Sequence, residues 1–303
     1  MTVNFLDKVK DMKKSVYLRK KVFSIVNLFS PIISGSRAEN LVYEGIMKGT
    51  PFMVARLGAV ESKAMIYASL PQVFKFLLKK YILENMHRNA GFFPVTEENL
   101  HHFYQIMCEA MESTDILGSW RPEEIFFHKS LKNSQKIALG IIGPHETNYS
   151  WTRALAGKKI LVVHPFAESI EKQYRERREL LHENPDTLPK FSSLETIKAV
   201  QTIAGNTAGF NNWFEALDFM KSEIDKHDFD ICILGCGAYG YPLAAYVKKK
   251  GKVSLHLGGP VQLYFGIKGK RWDNSGLYND YWISPSEEER PENLENVENG
   301  CYW

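Results

Sequence analysis

The spacing of hydrophobic residues predicts a chain that alternates between buried strands and helices. Short apolar runs that end near Gly or Pro are typical of strands buried on both faces of a parallel sheet. These runs lie at 52–55, 136–142, 159–163, 229–234 and 252–257. Helical spacing occurs at 37–48, 61 to about 84, 97–111, 168–181, 214–226 and 242–250. The alternation predicts an α/β fold with a Rossmann-like, mostly parallel sheet flanked by helices.

The two ends of the chain carry opposite charge. Residues 1–21 have seven cations against two carboxylates, whereas residues 286–303 have six glutamates against one arginine. The apolar residues near the start are spaced as on one face of a helix: Phe5, Val9, Met12 and Val16. Such a basic amphipathic helix either docks on the core or contacts an anionic membrane surface, and the pattern allows both.

These patterns divide the chain into three parts. We predict a basic helical segment at 1–36, an α/β domain at 37–283 with a helical insertion at about 62–130, and an acidic tail at 284–303.

Composition and cysteine usage predict a folded globular protein of a reducing compartment. Hydrophobic residues make up 44% of the 303 residues and charged residues 24%, which is ordinary for a globular chain. The net charge of +3 is too small to favour nucleic-acid binding. Four scattered cysteines without a CxxC pair, no apolar stretch of about 20 residues and no signal peptide predict a cytoplasmic location, with peripheral contact at the inner membrane face left open.

A glycine-rich turn carries the clearest chemical signal. The strand 229–234 leads into Gly235-x-Gly237-x-x-Gly240 at the start of a helix, with Tyr239 inside the motif. Glycines permit the tight turn and let backbone amides approach a diphosphate at the positive end of the helix. A turn made only for packing is the alternative.

The next predicted strand ends in a second glycine motif, His256-Leu257-Gly258-Gly259. A nicotinamide site would need a carboxylate here for the ribose hydroxyls, and its absence weakens a dehydrogenase function. Gln262 follows, and then a segment that interleaves three cations with glycines and aromatics, including Lys268, Arg271 and Trp272. These cations could neutralise phosphate and Trp272 could stack on a base or sugar, unless the segment is simply a basic surface loop.

At this point the sequence resembles the GT-D type of bacterial glycosyltransferase, found in cell-surface polysaccharide and glycoprotein glycosylation loci. The resemblance rests on 52–65 (FMVARLGAVESKAM), 213–220, 234–240 (LGCGAYG), 256–259 (HLGG) and 265–272 (FGIKGKRW). It implies a Rossmann-like sheet, a nucleotide-sugar donor and transfer of the sugar to a hydroxyl acceptor. The resemblance also implies which residues of this chain bind the donor. They are Arg56, Gly58, Gly235, Gly237, Tyr239, Gly240, His256, Gly258, Gly259, Gln262, Lys268, Arg271 and Trp272.

One departure from the family pattern concerns a metal ion. Members of the family carry an Asp-x-Glu pair that handles a divalent cation and the donor, whereas this chain has Ala59 in the Asp position and keeps Glu61. Loss of a carboxylate ligand puts a Mn²⁺ or Mg²⁺ requirement in doubt, with Glu61 the candidate ligand if a metal binds. Arg56 and the cations near Trp272 could neutralise the leaving diphosphate without it.

Three residues are candidates for the base that activates the acceptor hydroxyl. Glu61 comes first because it starts a helix just after a strand, and the family match falls on it. His164 and Glu168 follow the strand 159–163, although a histidine there could equally hydrogen-bond a neighbouring loop. His145 and Glu146 could also line the cleft.

The sequence thus predicts a hexosyltransferase-type enzyme of cell-surface polysaccharide biosynthesis. Its expected partners are a nucleotide-sugar donor and a lipid-linked or protein-linked glycan, and peripheral membrane contact through residues 1–30 is left open. Two alternatives stay open: a non-catalytic nucleotide-binding partner of a polysaccharide assembly complex, and a Rossmann-type oxidoreductase or methyltransferase.

Overall fold

The computed structural model describes residues 31–144, 150–291, 300 and 302. Within these residues, strands β1 to β7 form one sheet in the order β3-β2-β1-β7-β6-β4-β5, and every adjacent pair is parallel. The predicted α/β fold with a parallel sheet is therefore confirmed. The predicted N-terminal helix falls in residues 1–30 and lies outside the described residues, as do most positions of the acidic end.

The strands are short and the helices connect them. The strands are β1 Phe52–Ala55, β2 Ile116–Ser119, β3 Gln135–Ala138, β4 Lys159–His164, β5 Ser193–Lys198, β6 Ile231–Leu234 and β7 Val253–His256. The helices are α1 Gly35–Met47, α2 Ala59–Ser69, α3 Gln72–Arg88, α4 Glu97–Glu112, α5 Ala167–Arg177, α6 Trp213–Ile224, α7 Gly240–Lys249 and α8 Pro260–Tyr264.

Alternate residues of the central strands enter two separate cores, one on each face of the sheet. Met53 and Leu161 belong to the core that includes residues of α2, α3, α4, α6 and α7. Val54 and Val162 belong to the core on the other face, with residues of α1 and α5. Both faces of the central strands are covered, which explains why these strands are apolar throughout rather than alternating.

The structure differs from the pattern in two helical regions. The single helix predicted from 61 to about 84 is two helices, α2 and α3, because Leu70 precedes Pro71 and adopts an extended backbone with ψ of 147°. The predicted insertion at about 62–130 also contains a strand, β2, which pairs with β1 and β3.

Edge strands were harder to predict than central ones. β5 was missed because it pairs only with β4 at the edge of the sheet, where its polar residues are half-buried or exposed. The strand predicted at 136–142 ends at Ala138, and a 3₁₀ turn, Leu139–Ile142, completes the apolar run.

The start of the predicted acidic tail packs on the domain. Glu289 is 2% exposed, and its carboxylate accepts hydrogen bonds from the backbone N–H groups of Glu168 (2.8 Å) and Ser169 (3.1 Å). It thereby satisfies two N–H groups in the first turn of α5. The segment around Glu289 is therefore packed against the domain.

The order of strands creates a crevice at one place along the sheet. The chain leaves β6 toward β7 on one side and leaves β4 toward β5 on the other. Loops that depart in opposite directions open a space outside the carboxyl ends of two adjacent strands, where open α/β sheets bind their ligands.

Candidate active site

A cleft lies at this carboxyl edge of the sheet. Its walls come from the loops after β1, β2, β4, β5, β6 and β7, so that segments distant in sequence meet in one place. The predicted site residues that line it are Arg56, Gly58, Glu61, His164, Gly235, Gly237, Tyr239, His256, Gly258, Gly259, Gln262 and Arg271.

The glycine motif after β6 forms the floor of the cleft. Gly237 is exposed, has φ of +57° and has no atom within 4 Å of the position that a Cβ would take. A 3₁₀ turn, Gly237–Tyr239, leads directly into α7, whose first turn contains no acidic residue. The first N–H groups of such a turn have no partner inside it and carry the positive end of the helix dipole. The motif therefore presents backbone donors to open space, as an anion site requires.

The other two glycines of the motif allow close packing. A Cβ at Gly235 would lie 2.4 Å from the ring of His164, and one at Gly240 would lie 2.2 Å from Nδ1 of His256. Both distances are far below van der Waals contact, so each glycine makes room for a histidine on a neighbouring strand. Packing thus explains Gly235 and Gly240, whereas it does not explain Gly237.

Arg56 extends from the end of β1 along one wall. Its guanidinium lies 5.3 Å from the ring centroid of Trp120, and its Nε is buried without a hydrogen-bond partner. Gly258, at φ of +70°, passes beside it, with a Cβ position 3.5 Å from the guanidinium carbon. A cation with an unsatisfied buried donor in a cleft is suited to bind an anion.

Glu61 folds back over the start of its own helix. Gly58 is the N-cap of α2, and a Cβ on Gly58 would fall 1.8 Å from a carboxylate oxygen of Glu61. Gly58 is therefore needed to leave space for the carboxylate at the positive end of α2. Ala59 lies beside it in the cleft wall, in the position where the family has Asp.

His164 is held as a neutral hydrogen-bond donor. Its Nδ1 accepts a hydrogen bond from the backbone N–H of Phe166 at 3.0 Å, and burial lowers the pKa of the ring to about 3. A neutral ring that accepts at Nδ1 carries its proton on Nε2. This geometry disfavours the predicted role of general base, because neither nitrogen has a lone pair available for the acceptor hydroxyl.

His256 is also buried and neutral. Burial, and secondarily the charge of Arg56, lower its pKa to about 3. Its Nδ1 is buried without a hydrogen-bond partner, beside Gly240 at the start of α7. Together with the unsatisfied Nε of Arg56, this places two polar atoms without partners at the edge of the cleft.

Gln262 and the loop after α8 form the outer wall of the cleft. The Gln262 side chain is 1% exposed and donates to the backbone oxygens of Lys268 (2.9 Å) and Tyr302 (3.2 Å). Arg271 donates to the Tyr302 hydroxyl at 2.7 Å and lines the cleft. Gln262 therefore positions this wall of the cleft by holding two segments that are distant in sequence.

Four predicted site residues lie outside the cleft lining: Gly240, which packs against His256, and Lys268, Trp272 and Glu168. Lys268 lies with its Nζ 5.9 Å from the Tyr278 ring, and Trp272 packs behind Gly259 and against Tyr302 rather than facing the cavity. Glu168 is on the surface, with its carboxylate 3.5 Å from Lys198, because α5 begins one residue earlier and turns this side chain outward. His145 and Glu146 lie outside the described residues.

The structure adds residues that the sequence did not indicate. Trp120 follows β2 and donates from Nε1 to the backbone oxygen of Leu57 at 2.9 Å, which fixes its ring beside Arg56. Gln201 follows β5 and has a buried, unpartnered Oε1. The hydrophobic pattern predicted neither β2, which Trp120 follows, nor β5, which Gln201 follows. The sequence therefore gave no signal that these two residues lie at the carboxyl edge of the sheet.

The residues present do not build a metal site. Glu61 is the acidic residue among those lining the described cleft, and no group of three or more His, Cys, Asp or Glu suited to a metal occurs in the described parts of the chain. A hard divalent cation would have one carboxylate here and would depend on donor phosphates for further ligands. The sugar-transfer step that we propose therefore includes no metal ion.

Comparison with known proteins identifies three similar solved structures. No protein-family model matches the chain, and no curated protein matches its sequence. The structure of a "domain of unknown function 1792 (DUF1792)", substituted with selenomethionine, has 12% identity and a TM-score of 0.47, covering 88% of this chain and 96% of the other. "A New Glycosyltransferase (DUF1792) from Streptococcus sanguinis" has 13% identity and a TM-score of 0.38, covering 85% and 96%. A third, described by the words "the highly conserved domain of unknown function 1792 has a distinct glycosyltransferase fold", has 15% identity and a TM-score of 0.40, covering 88% and 96%.

Proposed function

We propose that this chain is a glycosyltransferase that binds a nucleotide-sugar donor in the cleft and transfers the sugar to a hydroxyl of a glycan acceptor. The observation that carries the proposal is the exposed, left-handed Gly237 in the turn that leads into α7, in a cleft that Arg56 and Arg271 also line. Backbone donors, a helix N-terminus and two guanidinium groups in one cleft are together suited to a diphosphate. The sequence resemblance described above supports the same class of ligand.

In this proposal each wall of the cleft has a role. The turn 235–240 would hold the diphosphate, and Arg56 and Arg271 would neutralise it as it becomes the leaving group. The Nε2–H of His164, which has no partner among the described residues, would donate to a donor or acceptor oxygen. Trp120 would offer an aromatic face to the sugar or base.

The transfer step needs one bond to form and one to break. The acceptor hydroxyl oxygen bonds to the anomeric carbon, while the bond from that carbon to the diphosphate oxygen breaks and the nucleoside diphosphate leaves. Glu61 is the carboxylate among the described residues that line the cleft, and it is our candidate to receive the hydroxyl proton. His164 is set up to hold a proton rather than to accept one.

Nucleotide binding tests the proposal directly. Isothermal titration of the full chain with UDP, GDP, dTDP and their sugars, with and without Mn²⁺, should detect at least one ligand. Gly237→Asn should weaken that binding at least about tenfold, because asparagine tolerates positive φ while its side chain fills the space of the diphosphate. Gly251→Asn is the matched control, since Gly251 also has positive φ (+86°) and open space around it, at the opposite edge of the sheet. Absence of binding to every ligand, or equal binding by both variants, would reject the proposal.

A non-catalytic nucleotide-binding protein is the second candidate. It is favoured by Ala59, because Glu61 is then the single carboxylate among the described residues that line the cleft. Donor binding without hydrolysis or sugar transfer across a broad acceptor panel would select it, whereas loss of transfer in Glu61→Gln with retained donor binding would select the enzyme.

The finer parts of the proposal follow from the sequence resemblance. They are a hexosyl donor, a lipid-linked or protein-linked acceptor of cell-surface polysaccharide biosynthesis, and a cytoplasmic location. A mass-spectrometric assay of transfer from a set of nucleotide hexoses to membrane extracts would test the first two together.

A further inference from the structure

The N-terminal half of α3 presents large apolar side chains to solvent. Isolated exposed apolar residues are normal, but a contiguous group of them on one helix marks an interaction surface. The residues of this apolar face are Val73 (77% exposed), Phe74 (59%), Phe76 (82%), Leu77 (83%), Leu78 (44%) and Tyr81 (49%).

The two halves of α3 differ in how they pack. The second half is held in the core by Ile82 (4% exposed) and Met86 (0%), as is usual for a surface helix. The first half exposes its apolar side chains together with lysines, and Lys79, whose side chain is 51% exposed, forms an ion pair with Glu97 at 2.8 Å. Exposed apolar side chains grouped in this way indicate a surface that an apolar partner covers.

Charge indicates the kind of partner. Residues 62–95 carry five cations and one carboxylate, Glu84, and counting Glu97, which pairs with Lys79, leaves a net charge of +3. Lys80 has a side chain that is 90% exposed beside the apolar face, and Lys63 donates to the Tyr81 hydroxyl at 2.9 Å. Apolar and aromatic side chains bordered by lysines match the boundary between anionic headgroups and acyl chains. A second copy of the same surface would instead bring like charges together.

We propose that residues 73–81 of α3 insert their apolar face into the interface of an anionic lipid bilayer. The segment is separate from residues 1–30, for which the sequence pattern allows either docking on the core or a membrane contact. None of the helices in the described parts of the chain could cross a bilayer.

The position of α3 connects the membrane to the cleft. A second cavity between α2 and α3 is lined by Ala59, Val60, Lys63, Tyr81, Ile82, Asn85 and Asn89. Ala59, Val60 and Asn89 also line the main cleft, so the two cavities adjoin. A docked α3 would bring the cleft to the bilayer surface, where, if the proposed function holds, it would meet a lipid-linked acceptor.

Vesicle binding of the full chain tests the docking independently of catalysis. We expect the protein to co-sediment with vesicles of phosphatidylglycerol and phosphatidylcholine, and to bind pure phosphatidylcholine more weakly. Phe76→Ser with Leu77→Ser should lower the partition coefficient at least about tenfold, since each buried apolar side chain contributes to insertion. Leu180→Ser is the matched control, because Leu180 is also exposed (46%) and belongs to the connection after α5, on the other face of the sheet.

Hydrogen–deuterium exchange separates this surface from residues 1–30. Binding through α3 should slow exchange in peptides covering 73–81 when anionic vesicles are added. Unchanged exchange there, equal binding by the double variant, or absence of binding to anionic vesicles would overturn the proposal. A concentration-dependent dimer that the double variant abolishes would also overturn it, because a second copy would then be the partner.

Discussion

Gly240 and His256 are in such close contact that a Cβ on the glycine would lie 2.2 Å from Nδ1 of the histidine. The last glycine of the motif is therefore required by the neighbouring strand, β7, and not by a ligand. We predict that Gly240→Ala lowers the free energy of unfolding by about 1–3 kcal/mol, as overpacking in a core does. Urea unfolding of the purified variant measures this change.

A double-mutant cycle checks that His256 is the cause. If the two residues compete for space, His256→Ala should remove most of the cost of Gly240→Ala, so that the two effects are not additive. Additive losses would mean that the alanine clashes elsewhere.

Arg56 should contribute directly to diphosphate binding. Its guanidinium lies in the cleft with a buried, unsatisfied Nε, so Arg56→Gln removes a charge-assisted hydrogen bond. We expect nucleoside diphosphate affinity to fall roughly 10- to 100-fold, corresponding to about 1.5–3 kcal/mol. The measurement is titration calorimetry at fixed ionic strength. Arg175→Gln, on the exposed face of α5, should leave the affinity unchanged.

The two buried histidines predict how stability depends on pH. Burial lowers the pKa of both His164 and His256 from 6.5 to about 3. In the unfolded chain these rings take up protons below about pH 6.5, whereas the folded protein keeps them neutral to about pH 3. The unfolded state therefore binds more protons in this window, and stability falls as pH decreases through it.

The steepest loss is roughly 1.4 kcal/mol per pH unit for each histidine. Urea unfolding at about pH 7 and about pH 5.5 should reveal the difference, before most carboxylates titrate. His256→Gln should reduce the slope by about one proton. An unchanged slope would show that His256 is not buried as a neutral ring.

The sequence predicted the centre of the molecule well because burial on both faces leaves a clear signal. The run at 52–55 matches β1 to the residue, and the glycine motif after 229–234 lies at the carboxyl edge as expected. The pattern failed where that signal is absent. β5 lies at the edge with few buried residues, so Gln201 beyond it could not be placed at the site.

Other features depend on contacts that no local pattern encodes. The tautomer of His164 is set by the backbone N–H of Phe166, and the outward turn of Glu168 by the start of α5. The apolar face of α3 has ordinary helical spacing, and spacing does not tell whether such a face points to the core or to solvent.

Glu289 should stabilise the domain although it belongs to a segment that the sequence assigns to a tail. Its buried carboxylate accepts from two N–H groups at the start of α5 and from the Ser169 hydroxyl. Glu289→Gln replaces an acceptor oxygen with a donor and removes a charge that complements the helix dipole. We expect a loss of about 1–3 kcal/mol of unfolding free energy by urea denaturation. Glu288→Gln, at an exposed neighbouring position, should change it by less than about 0.5 kcal/mol.

Restoring a carboxylate at position 59 tests whether the cleft can bind a divalent cation together with the donor diphosphate. It lies at the first position of α2, two residues before Glu61, and both line the cleft. Ala59→Asp would restore the Asp-x-Glu pair of the family that the sequence resembles, and two carboxylates with donor phosphates can hold a hard divalent cation. We expect Mn²⁺ to strengthen nucleoside diphosphate binding at least about tenfold more in Ala59→Asp than in the unmodified chain. Ala59→Asn has the same shape without the charge and should show no such gain. An equal effect of Mn²⁺ on all three proteins would mean that position 59 does not face the diphosphate.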